Sequence, residues 1–92
     1  MRTQKEIAEA LNECFDRLWF NRHVETLDAY QEGYTTLDEE TMEAANTAAK
    51  TIEEKYDIAN LEIKEEFDYG MVCGKLSALR WVFGDEWDNL DT

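Results

Sequence analysis

Residues 65–83, EEFDYGMVCGKLSALRWVF, decide how this chain folds. Their apolar side chains recur at helical spacing on two sides. Phe67, Met71, Ala78 and Val82 lie on one, and Val72, Leu76, Leu79 and Phe83 on the other. A helix that is apolar so far round its circumference predicts a central, largely enclosed position among other helices. Gly84 is the natural stop. Gly70, Gly74 and Ala78 stand four apart and form a smooth strip along the helix. Interior glycines cost about 1 kcal/mol each relative to alanine, so close backbone packing is the expected compensation. The strip is expected to meet an alanine-rich helix of the same chain; its other fit is the same strip on a twin subunit, a homodimer.

That alanine-rich helix lies upstream, in residues 35–56, TTLDEETMEAANTAAKTIEEKY. Thr36 and Glu39 form a capping box, and Asp38, Glu39 and Glu40 suit the positive end of the helix dipole. Met42, Ala45, Ala49, Ile52 and Tyr56 alternate at three and four, a seam whose small middle lets a neighbour approach. The N-terminal segment begins with a second capping box, Thr3 with Glu6. It continues with Ile7, Leu11, Cys14, Phe15, Leu18 and Trp19 on one face. One helix is expected from about residue 4 to about residue 32, bent near Asn21 to His23 and stopped by Gly33, with Tyr34 covering its last turn. Residues 57–66, DIANLEIKEE, fit neither helical nor strand spacing and are expected to connect the second helix to the third, tucking Ile58, Leu61 and Ile63 under the bundle. Proline is absent and glycine occurs four times, which disfavours an all-β domain. The fold class expected is all-α: a compact three-helix antiparallel bundle, one domain over residues 1–92, with a short acidic C-terminal tail.

The composition excludes several classes of function. With 22 Asp and Glu against nine Lys and Arg, the net charge is −13. Direct binding to nucleic acid is disfavoured, because a duplex is itself a dense line of negative charge, and anionic membranes are disfavoured for the same reason. A basic protein surface is the partner such a charge suits. Cys14 and Cys73 both sit in apolar helical patterns, where a free thiol packs as a small hydrophobe; a reducing, cytoplasmic location is expected. The first residues lack the apolar core of a secretory signal, and no apolar run reaches the ~20 residues that span a bilayer.

The C-terminal tail poses the functional question. Trp87 and Leu90 stand among Asp85, Glu86, Asp88 and Asp91. Structurally, Trp87 and Leu90 are expected to fold back and close the end of the core. Functionally, aromatics ringed by acids suit an interface with a basic partner, and Asp85, Glu86, Trp87, Asp88 and Asp91 are the candidate binding residues. The acids lack the spacing of a calcium-binding EF-hand loop. The stretch GKLSALRWVFGDEWDNLDT, residues 74–92, resembles the C-terminus of a group of small acidic proteins carried in bacterial and phage genomes. EALNECFDRLWFNRH, residues 9–23, shares the resemblance more weakly. No activity comes with it; it implies an origin, and that the tail belongs to the domain.

Two carboxylate pairs offer an enzymatic alternative. Glu40 with Glu43 and Glu65 with Asp68 read ExxE, a spacer, then ExxD. This resembles the metal-binding signature of MazG-type all-α nucleoside triphosphate pyrophosphohydrolases, and the resemblance implies that these four carboxylates would hold Mg²⁺ against substrate phosphates. Acids are so frequent in this chain that such pairs also arise by chance, as Glu6 and Glu9 show. Lys50 and Lys64 are the only nearby basic residues in sequence to steady a triphosphate. His23, the single histidine, has no ligand at zinc-like spacing. Gly70 and Gly74 lie inside a helix and form no phosphate loop.

The acid excess is heavier from residue 35 onward, on segments expected to be stiff rods. Acids along rods can imitate a duplex, which carries one charge per about 1.7 Å of axis. The function expected is therefore a non-enzymatic acidic binding protein without cofactor, a nucleic-acid mimic inhibiting a nuclease or other nucleic-acid-binding protein. Small phage proteins of the anti-CRISPR, anti-defence kind work this way. The Mg²⁺-dependent pyrophosphohydrolase and the structural homodimer are the alternatives.

Overall fold

The structure is a computed structural model that describes residues 1–34 and 36–87. It is all-α: α1 spans Gln4–Gln31, α2 Glu39–Lys55, α3 Ile58–Leu61 and α4 Glu66–Val82. No strand occurs among the described residues. The stretch expected to be a plain connection contains α3, a single helical turn. Its one buried side chain, Leu61, is what holds it.

Local chemistry sets the helix ends. At the start of α1 the Glu6 amide donates to Thr3 Oγ1 at 3.1 Å, and the Thr3 amide donates back to Glu6 Oε1 at 3.3 Å. This is the expected reciprocal cap. Arg2 adds an ion pair to Glu6 at 3.0 Å, and these contacts hold the Glu6 carboxyl below its ordinary range. Gly33, at φ 82°, ends α1 in the left-handed conformation that glycine adopts without a Cβ clash. The Tyr34 amide then reaches the Ala29 carbonyl at 2.8 Å, although the Tyr34 ring stays in water and does not cover the turn. The cap of α2 lies two residues later than the Thr36 box would place it. Asp38 is the N-cap, with its carboxylate accepting the Thr41 amide at 2.7 Å. A charged acceptor beside the helix dipole outcompetes a hydroxyl for that position. At the end of α4, Gly84 (φ 111°) repeats the left-handed stop, and the Asp85 amide donates to the Arg80 carbonyl at 3.0 Å.

The chain forms two compact units, residues 1–18 with 63–92, and residues 19–62, so α1 contributes to both. In the first, Leu18, Val72 and Leu76 are buried, with Leu11, Cys14, Ile63, Tyr69 and Cys73 packed against them. In the second, Phe20, Ala49 and Leu61 are buried and flanked by Trp19, Ile52 and Tyr56. The α2 seam behaves as its spacing requires: Met42 and Ala49 are buried, and Ala45, Ile52 and Tyr56 are half-buried. Asn21, expected at a bend, lies in continuous helix, where its side-chain amide donates to the Leu61 carbonyl at 2.7 Å. That bond satisfies a carbonyl at the end of a helix too short to satisfy its own.

α4 departs from expectation. Only its Val72 and Leu76 side is enclosed, while Phe67, Met71, Trp81 and Val82 remain exposed and Phe83 caps the helix half in water. The glycine strip faces open space: a Cβ placed on Gly70 or Gly74 would meet nothing within 4 Å. Packing of that strip within the chain, the expected compensation for two interior glycines, does not occur. Val72 and Leu76 are this helix's buried residues, with Tyr69 and Cys73 half-buried beside them.

Candidate functional site

The aromatic and acidic corner at the end of α4 is the site that the geometry brings together. Trp87 folds back so that its ring meets Trp81 edge-on, with centroids 5.3 Å apart and planes at 78°. Such a pair is worth about 1 kcal/mol beyond the area it covers. Trp87 nevertheless keeps 67% of its surface in water and Trp81 keeps 52%. The expectation that Trp87 closes the core is therefore corrected. It finds an exposed ring at the end of a helix whose last buried side chain is Leu76. Leu90, Asp88 and Asp91 lie outside the described residues.

Asp85 and Glu86 are both exposed and follow directly on the C-terminal turn of α4. That end of a helix carries partial negative charge, so carboxylates there gain nothing from the dipole, and Arg80 is the residue that suits it. Helix stability thus offers no reason for these acids. They stand between Trp81 and Trp87 in sequence and are exposed, as both rings of the pair are.

The carboxylate pairs have the opposite explanation. Glu40 lies in the first turn of α2, and Asp68 in the first turn of α4, both favoured by the dipole. Glu65 is the N-cap of α4, outside the helix and making no side-chain cap bond. Glu43 is exposed within α2. Among the described residues, no group of three or more His, Cys, Asp or Glu side chains is placed to hold a metal ion.

His23 stacks on Trp19, with centroids 5.1 Å apart and planes at 7°, and its Nε2 lies 3.2 Å from Asn46 Oδ1. It helps order the second unit, together with the Asn21 bond and the Phe20 core position. Sequence spacing missed Phe20 and Asn21 because Trp19 and Leu18 already filled the helical pattern. The signal available was the change of buried face at that point in α1.

In the first unit, a groove of about 400 Å³ is walled by Ala10, Cys14, Val72, Ala78 and Leu79, with Glu13, Arg17 and Lys75 at its edges. Both cysteines are free thiols. Burial pushes the Cys14 thiol up from its ordinary range, and the Glu13 charge adds to the effect. A thiol held protonated in this way is a packing group and a poor nucleophile.

No helix among the described residues is long and apolar enough to cross a membrane. No protein family matches the chain, nor does any curated protein or solved structure.

Proposed function

We propose that this chain is a non-enzymatic binding protein that docks on a basic surface of a nucleic-acid-binding protein and occupies the groove meant for phosphates. The observation that carries the reading is the exposed Trp81–Trp87 pair beside Asp85 and Glu86, on a chain of net charge −13. The aromatic pair supplies an apolar anchor, and the acids supply steering and register against Lys and Arg of the target. Asp88 and Asp91 continue the acidic run in sequence. Every described Asp and Glu except the half-buried Asp16 is exposed, so the charge is available to a partner. On α2, Glu39, Glu40, Glu43, Glu53 and Glu54 lie along a rod of roughly 25 Å, a spacing sparser than a duplex but of the same sign.

The test is capture of proteins from bacterial lysate on the immobilised chain, at low and high salt, with and without competing duplex DNA. A captured nucleic-acid-binding protein released by both salt and DNA, and lost with Trp87→Ala or Asp85→Asn/Glu86→Gln, is the expected result. Capture indifferent to DNA and to the tail variants would overturn it.

A further inference from the structure

We infer that the exposed face of α4 pairs with the same face of a second copy of this chain, antiparallel and centred on Gly74. The face is apolar and continuous: Phe67 (74% exposed), Met71, Trp81 and Val82 project from it around the flat strip of Gly70, Gly74 and Ala78. Together these four side chains leave on the order of 400 Å² of apolar surface in water on each copy. A symmetric pair would cover roughly twice that before any polar rim is counted, which approaches the about 1,000 Å² at which specific interfaces begin.

Charge selects the occupant. α1 carries six acids against three bases and α2 five against two, so a second copy is repelled from either. On α4, Glu66 and Asp68 are balanced by Lys75 and Arg80, making it the neutral long helix of a strongly acidic chain. Its acids stand at one end and its bases toward the other. Reversing one copy against another about Gly74 brings Asp68 level with Arg80 of the second copy, with Glu66 just beyond it at the same end.

The positions about Gly74 are self-complementary as well. Gly70 comes opposite Ala78, small against small, and Phe67 comes opposite Trp81, ring against ring. An isologous two-fold contact needs this property, since one patch must serve as both surfaces. The pairing also gives the glycines a reason that the single chain lacks. Their missing Cβ atoms leave empty space in one copy, and would let two helices approach closely in a pair. The pairing shares Trp81 with the anchor proposed for the target, while Asp85, Glu86 and Trp87 lie beyond α4 and are not needed for it.

Sedimentation velocity of the full chain over a dilution series tests it. The expected mass is twice the 10.8 kDa of one chain, falling to one chain in Gly74→Glu while the helical circular dichroism is retained. Gly74→Glu has open space in the single copy, so a loss of pairing without a loss of helix is the specific outcome. A second measurement places cysteine on the symmetry axis: Gly74→Cys, with Cys14→Ala and Cys73→Ala, is expected to cross-link to itself under mild oxidation. A chain that sediments as one copy at every concentration would overturn the inference. So would a dimer that survives Gly74→Glu, or a Gly74→Cys chain that stays uncross-linked. Asp85→Asn/Glu86→Gln, the variant that tests target capture, is expected to leave the doubled mass unchanged, so the two proposals fail separately.

Discussion

Leu61→Ala is the substitution whose cost follows most directly from the structure. Leu61 exposes 0% of its surface, although it belongs to a helix of four residues whose other side chains lie in water. The substitution removes three buried carbons, worth roughly 2.4 kcal/mol at about 0.8 kcal/mol each. The Asn21 bond to the Leu61 carbonyl restrains the backbone from settling into the space. If about half of the vacated volume stays open, the cavity adds on the order of 1 kcal/mol. The expected loss is therefore about 3.5 kcal/mol, a large share of the roughly 5–14 kcal/mol available to a domain of this length. Urea unfolding followed at 222 nm reads it as a fall in the midpoint of about 2.3–3.5 M, for a slope near 1–1.5 kcal/mol/M. Ile58→Ala, one turn earlier on the same helix and exposed, is the control and should cost no more than about 0.5 kcal/mol. A loss below about 1 kcal/mol for Leu61→Ala, or equal losses at both positions, would refute the reasoning that this side chain anchors the second unit.

Three further outcomes are expected. The Asp38 carboxyl is held below its ordinary range by the Thr41 amide, so its stabilising effect is complete above the ordinary aspartate range and is lost as pH falls through the lowered value. Asp38→Ala should therefore lower the thermal midpoint at about pH 7 and leave it nearly unchanged at about pH 2, while Asp38→Asn preserves most of the cap at both. An equal effect of Asp38→Ala at the two pH values would count against that assignment. Gly33→Ala should destabilise the chain by roughly 1 kcal/mol through its positive φ, with Gly33→Asn milder, as chemical denaturation would report. In a Cys73→Ala background, Cys14 should alkylate with iodoacetamide more slowly than a free thiol at the same pH, and the midpoint of its pH profile should lie above the ordinary thiol range. A profile at or below that range would contradict burial as the controlling influence.

Much of the architecture was legible because it depends on near neighbours. The Thr3–Glu6 box, the Gly33 and Gly84 stops and the α2 seam each involve residues within about one or two turns, where geometry follows from spacing alone. The α2 cap was expected at Thr36, and the 2.7 Å contact from the Thr41 amide puts it two residues on, at Asp38. The candidate site was less legible. Asp85, Glu86 and Trp87 were identified by composition, yet the role of Trp81 required knowing that the chain reverses after Gly84.

By itself, the sequence determined that the chain is helical, where its long helices lie, and that it carries a surplus of negative charge in water. These properties follow from 3.6-residue periodicity, end-capping chemistry and the count of ionised groups, all local or additive. Only the tertiary structure decided which apolar side chains are buried. Phe20 entered a core that its spacing did not announce and Ile58 stayed outside one where Leu61 was buried, whereas Phe67, Met71 and the glycine strip stayed outside a core that their spacing suggested. Burial depends on what stands opposite, and a helix with two apolar sides carries no record of which side another element covers. In this chain one side of α4 is covered, and the other is left facing solvent.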